Sequence, residues 1–201
     1  MPPRLTEYEL ETAAAQPAGA CELVANRDHF TRIVQDGIAK ATVSLDILTA
    51  DFKSMLVPLT SAGRKSNHAR SIIHLFRSLA QKGVEIRILH AGTPSGPALL
   101  ELKKISADEN ARLTIRRCPR LHAKAVIIDA RTMYLGSANL TGAGLGAKGA
   151  DKRNFELGIF THAPALIESV LEHFNSLWEG HPCKKCRRKD VCPVPLEEPD
   201  L

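Results

Sequence analysis

Long apolar runs are missing from this chain of 201 residues. None approaches the roughly 18 to 20 consecutive apolar residues that a membrane-crossing helix needs, so integral membrane association is not expected. The first residues have no apolar stretch of the kind that opens a secretory signal, and they carry Glu7, Glu9 and Glu11. A cytoplasmic location is therefore expected. Aromatic residues are scarce at 4%, too few for an extended platform on which bases could stack. No segment repeats at a length that would mark a duplicated domain. Charge is only mildly one-sided. The 27 Lys+Arg exceed the 22 Asp+Glu by five, and a pI near 9.0 is compatible with a polyanionic partner without requiring one.

What remains is ordinary globular composition, 44% hydrophobic and 24% charged, in a length that buries one sizeable core. Residues 1–20 hold an Ala/Pro/Gln-rich stretch and read as a loosely ordered arm. From Asn26, a candidate cap, Phe30, Ile33, Val34 and Ile38 recur at helical spacing. Residues 42–48 alternate as a strand, and a basic loop with Arg64 and Lys65 leads into a helix through Ile72, Leu75, Phe76 and Leu79. Further strands are expected at 84–89, 113–117, 121–128, 133–136 and 155–160, with helices at 97–105 and 164–178. Strands mixed with helices predict an α/β sandwich around a mixed β-sheet, occupying residues 21–180.

Residues 121–139 carry the clearest chemistry. Side chains alternate along a strand, so His122 and Lys124 share a face with Val126 and Ile128. A histidine two residues from a lysine sets a nucleophile or proton-transfer group beside a fixed positive charge, which suits a phosphate-like substrate. Further on, Gly136 lets backbone approach closely, and Ser137 and Asn139 offer hydrogen-bond donors to oxyanions. The two groups meet if their strands are neighbours. The glycine-rich stretch that follows, 140–153, carries Lys148, Lys152 and Arg153 and suits a mobile loop that tracks phosphates.

The spacing His-x-Lys-x4-Asp-x6-Gly-Ser-x-Asn, filled by His122, Lys124, Asp129, Gly136, Ser137 and Asn139, resembles the HKD signature of the phospholipase D superfamily. Asn154-Phe155-Glu156 resembles that family's downstream Asn-x-Glu element. The resemblance implies a phospholipase D-like fold and a two-step phosphodiester cleavage without a catalytic metal. His122 would attack phosphorus to form a phosphohistidine. Lys124, Ser137 and Asn139 would hold the non-bridging oxygens, and Glu156 would orient the imidazole. Asp129 belongs to the motif, but by parity it falls on the opposite strand face and is read as structural. Small single-motif members supply the second histidine by forming a twofold homodimer. A nuclease acting on DNA or RNA is the expected activity. A phospholipase or phosphatidyl transferase, and a non-catalytic nucleic-acid-binding module, are the alternatives.

The five cysteines are unevenly placed: Cys21 and Cys118 stand alone, while Cys183, Cys186 and Cys192 crowd the tail, residues 181–201. Cys-x2-Cys with a third Cys and the nearby His181 predicts a structural zinc site, with an iron–sulfur cluster as the rival. Such a site would make the tail a small Cys-rich, basic extension of the main domain.

Overall fold

Seven strands form one mixed sheet in a computed structural model that describes residues 21–57, 70–106 and 112–192. The expected N-terminal arm, Arg64 and Lys65, and the end of the tail beyond Cys192 lie outside the described residues. In chain order the elements are β1 (Cys21–Ala25), a π-helical α1 (Phe30–Gln35), β2 (Ser44–Thr49), a two-stranded ribbon β3 (Leu56–Val57) and β4 (Arg70–Ser71), and α2 (Ile72–Gln81). There follow β5 (Glu85–His90), α3 (Gly96–Ser106), β6 (Leu113–Arg117), β7 (Ala125–Ile128), β8 (Thr132–Gly136), β9 (Leu157–Thr161) and α4 (Pro164–Trp178). The main sheet runs β1-β9-β8-β7-β2-β5-β6; β2, β5 and β6 are parallel, and the other neighbours are antiparallel.

Strand periodicity divides the core into two layers. Leu45, Ile47, Ile86, Ile88, Val126, Ile128, Tyr134 and Phe160 face one way and pack with α1, α2 and α3. Leu48, Leu89 and Ala125 face the other way, against Phe174 and Trp178 of α4, while Ile127 and Met133 meet Ile167. Each of the two faces is covered, which is why the interior strand β2 is buried almost throughout. Its one acid, Asp46, receives a 2.6 Å hydrogen bond from Arg87, whose guanidinium lies 4.8 Å over the Phe174 ring. This is the expected α/β sandwich around a mixed sheet.

Three local expectations change. Asn26 does not cap a helix: its backbone is left-handed, at φ 47°, and its side chain accepts from the Glu156 N–H at 3.1 Å. The β7 ladder begins at Ala125 rather than at Leu121, because 121–124 run past the sheet edge as an extended segment. Strand β1 pairs with β9 from Cys21↔Thr161 to Ala25↔Leu157. No strand was expected there.

The topology decides where chemistry can gather. Strands β1, β2, β5, β6 and β8 end at one rim of the sheet, and β7 and β9 begin there. Residues 26, 49–51, 90–92, 122–124, 137–139 and 154–156 therefore share that rim, as ligand-binding segments in open α/β sheets do.

Candidate active site

Two backbone hydrogen bonds assemble the rim. Gly136 N–H donates to Lys124 O at 3.1 Å, and Ser137 N–H donates to Leu157 O at 3.0 Å. They set the residues before β7, after β8 and before β9 side by side. His122 is exposed at the rim and Lys124 is buried, at 8% exposure. The Lys124 ammonium donates to the His122 carbonyl oxygen at 2.7 Å and stands 3.1 and 3.3 Å from the two ring nitrogens of His122. Burial pushes the Lys124 pKa below its ordinary value, and the Glu156 carboxylate pulls it back. A partly desolvated cation thus sits against an accessible imidazole, the pair expected from the spacing.

Glu156 occupies a different place from the one expected. Its carboxylate accepts from the Ser137 hydroxyl and, at 3.0 Å, from the Asn154 amide. It is not the orienting partner of His122 within this chain, and the sheet order explains why. Strand β8 separates β7 from β9, so the residue entering β9 lies roughly 10 Å across from the residue entering β7. Ser137 gives its hydroxyl hydrogen to Glu156 and accepts from Leu157 N–H at 3.1 Å. Asn139 uses its carbonyl oxygen to accept from Ala50 N–H and Asp51 N–H, both at 3.1 Å, which ties its loop to the end of β2. Its amide N–H groups are the donors left for an oxyanion, together with the remaining hydrogens of Lys124.

Asp129 lies at the far end of β7, seven residues from His122 and roughly 20 Å away along the strand. It takes no part in the rim. One carboxylate accepts from Val43 N–H at 2.8 Å, Ser44 N–H at 3.0 Å, and both the N–H and hydroxyl of Thr42. Partial burial pushes its pKa up, but these bonds from Val43, Ser44 and Thr42 together hold it below the usual carboxylate value.

A buried pair absent from the sequence-based expectations supports the rim from below. His29, 0% exposed, bonds to Asn26 O at 3.0 Å through Nδ1 and to the Tyr134 hydroxyl at 3.1 Å through Nε2. The Tyr134 oxygen also accepts from Ala138 N–H at 3.0 Å, between Ser137 and Asn139. A side chain at Gly158 would run into the Tyr134 ring and one at Gly136 into its hydroxyl, so both glycines make room for this phenol. Burial lowers the His29 pKa against the opposing Asn26 bond, and burial pushes Tyr134 up to about 12. Both residues are neutral at ordinary pH. Nothing in the sequence pairs a histidine with a tyrosine 105 positions later; only the sheet does.

A family model described as "Cardiolipin synthase, PLD-like domain" matches residues 34–178, most of the chain and every rim segment but the first. The protein is a member of the phospholipase D superfamily. This phospholipase D-like domain resembles the solved structure of Nuc from Salmonella typhimurium, a phospholipase D family member, at TM-score 0.55 and 21% identity, covering 80% of this chain and 95% of that one. NucT from Helicobacter pylori is similar at TM-score 0.58 and 16% identity, over 80% and 96% of the two chains. TrmBL2, an archaeal chromatin protein whose structure shows a mode of DNA binding, matches at TM-score 0.53 and 15% identity, over 85% and 57%. At these identities the likeness is one of fold. A comparison with curated protein sequences returns no significant match.

The phospholipase D-like domain distributes the remaining candidates unevenly. Lys148 lines a cleft with Asn139 and Asn154, so it adjoins the rim. Lys152 is exposed and Arg153 half-buried further along the same loop. That loop is held rather than loose: Lys148 N–H bonds to Gly142 O, Asn154 N–H to Ala143 O, and Leu145 is buried. Among the described residues no three His, Cys, Asp or Glu side chains form a group that could hold a metal ion. His181 pairs with Glu179 at 3.1 Å, and Cys183 packs on the cluster of Leu121, Phe174 and Trp178. Cys183 and Cys186 join Cys118, His173 and His122 in lining a cavity of about 290 Å³. Among the described residues no helix is long and apolar enough to cross a membrane.

Proposed function

We propose that this protein is a phosphodiesterase that cleaves nucleic acid through a phosphohistidine at His122. The observation that carries the reading is the Lys124 ammonium held 3.1 Å from the imidazole of an exposed His122 at the rim of a phospholipase D-like sheet. In the first step a ring nitrogen of His122 attacks phosphorus, the bond to the leaving oxygen breaks, and that oxygen takes a proton from an imidazolium. In the second, water gives a proton back to that imidazole as its oxygen displaces His122. Lys124 and the Asn139 amide stabilise the charge that develops on the non-bridging oxygens. These steps need no metal.

The second imidazole is the His122 of another copy across a twofold axis. Phe155, 96% exposed beside Glu156, together with exposed Leu157 and Leu23, supplies apolar surface next to the site for such an interface. Nucleic acid is favoured as substrate by the basic loop running from Lys148 to Arg153 beside Asn139. The description of the matching family model makes anionic lipid the competing substrate.

The test is an assay in EDTA on DNA, RNA and cardiolipin vesicles, with His122→Ala as control. Cleavage of nucleic acid that disappears in His122→Ala supports the reading; turnover of lipid alone, or cleavage that survives the substitution, overturns it. Mixing wild type with excess His122→Ala tests the shared site. Activity then falls with the square of the wild-type fraction, whereas independent sites give a linear fall.

A further inference from the structure

A cleft of about 540 Å³ opens beside the rim, between the segment following β2 and the glycine-rich loop. Its walls are built. Phe52 bridges to Leu140 and Lys53 N–H donates to Leu140 O at 3.1 Å, which fixes one wall to the other. Lys148 is anchored by its own N–H on Gly142 O, and its stem crosses Gly142, with carbons 3.7 Å from where a side chain there would start. The cleft shares Asn139 and Asn154 with the rim, and Asn154 binds the Glu156 carboxylate, so cleft and rim are continuous.

The lining has two chemical halves. Lys53, Lys148 and the two asparagine amides are cationic or polar, and the one lining acid, Asp51, is paired with Lys53 at 3.0 Å. Met55, almost fully buried, and Leu56, exposed, add the apolar part of the lining. The volume falls in the range that encloses a small molecule of nucleotide size. A lipid tail would want an apolar channel without amides or cations. A nucleotide wants what is present, a cation for phosphate and a flexible thioether under a base.

We infer that this cleft is a nucleotide subsite: it takes the residue next to the scissile phosphate, with the neighbouring phosphate on Lys148 and the base over Met55 and Leu56. The assignment rests on the phosphodiesterase reading for the position of the scissile phosphate, but binding tests it separately. Each lysine removed from a single-stranded phosphate contact lowers the slope of log affinity against log salt by about 0.7.

The decisive experiment measures binding of a fluorescein-labelled single-stranded tetranucleotide to the full chain carrying His122→Ala, with and without Lys148→Ala, across a salt series. Lys148→Ala is expected to weaken binding about tenfold at low salt and to make the slope shallower by about 0.7. Unchanged affinity and slope overturn the subsite. Weaker binding of cardiolipin vesicles with tetranucleotide binding unaltered overturns its assignment to a nucleotide. In the active protein, the ratio of kcat/KM for the tetranucleotide to that for bis(p-nitrophenyl) phosphate, which has no neighbouring phosphate, falls with Lys148→Ala if the subsite exists and stays level if it does not. Should His122→Ala leave hydrolysis of both substrates intact, the mechanism fails while the binding result still decides the cleft.

Discussion

The imidazole of His29 and the phenol of Tyr134 meet 3.1 Å apart, and the same phenol oxygen holds the N–H of Ala138 between two candidate active-site residues. The protonation pattern follows from the partners. His29 Nδ1 faces the carbonyl of Asn26 and must carry the hydrogen, so Nε2 accepts from the Tyr134 O–H, whose oxygen is then free to accept from Ala138. Asn26 extends the chain to Glu156 through two bonds: its N–H donates to Glu156 O at 2.9 Å, and its side-chain oxygen accepts from Glu156 N–H at 3.1 Å. One network, buried at His29 and Tyr134, thus braces both the Ser137–Asn139 turn and the entry of β9.

Replacing Tyr134 by Phe leaves two buried groups, His29 Nε2 and Ala138 N–H, without their partner. The expected cost is about 1–3 kcal/mol of stability, read by urea denaturation. A fall in kcat larger than any rise in KM is also expected, because Ala138 positions its neighbours without touching substrate.

The lowered His29 pKa makes stability depend on pH. A histidine depressed in the folded state contributes stability that is present above its ordinary value of 6.5 and is lost as pH falls through the folded value. His90, also lowered chiefly by burial, acts in the same direction. Denaturation midpoints should therefore fall between pH 7 and pH 5, and His29→Gln, which does not titrate, should flatten that decline. A slope identical to wild type would show that His29 does not carry it.

Asp129→Asn separates charge from backbone at the far end of β7. Asparagine tolerates the left-handed conformation found there, φ 53°, so the substitution weakens the bonds to Thr42, Val43 and Ser44 with little added strain. A loss of about 2 kcal/mol at pH 7 is expected, with kcat nearly unchanged. Because the Asp129 pKa is depressed, the wild-type advantage is present above the ordinary value of 3.8 and disappears as pH falls through the folded value.

Lys124→Met keeps the length of a buried side chain and removes its charge. The expected result is a folded protein whose kcat is lower by about 10²–10³. Circular dichroism confirms folding, and cleavage within twofold of wild type would remove Lys124 from the mechanism.

Thiol reactivity distinguishes the cysteines that the sequence groups together. Bonds from the Arg188 backbone and the Arg120 side chain lower the Cys186 pKa. Iodoacetamide at pH 7 should label Cys186 before Cys118 or Cys183, as mass spectrometry of the peptides would show.

The motif from His122 to Asn139 was legible because its chemistry is local. Two short segments on adjacent strands need only a β-hairpin to meet, and alternation along Val126 and Ile128 identifies their strand without any knowledge of the fold. Most helices were legible for the same reason: Ile72, Leu75, Phe76 and Leu79 follow a period that a single helix imposes. What failed was long-range or one-sided. Strand β1 sits at the sheet edge with Leu23 exposed, so burial writes little pattern into it. The cysteine spacing is a different case: it stands as an expectation of a metal knuckle and is silent on the apolar cluster against which Cys183 packs.

The sequence by itself determined the family and most of the strand-and-helix alphabet, and it marked His122, Lys124, Ser137 and Asn139 as candidates, because each depends on spacing within a few turns or one hairpin. Only the tertiary structure decided the partner of Glu156, the brace of His29 and Tyr134, and the cleft that Lys148 shares with Asn139. Those depend on strand order. Inserting β8 between β7 and β9 sets which side chains are within hydrogen-bond reach, and no local periodicity encodes that order.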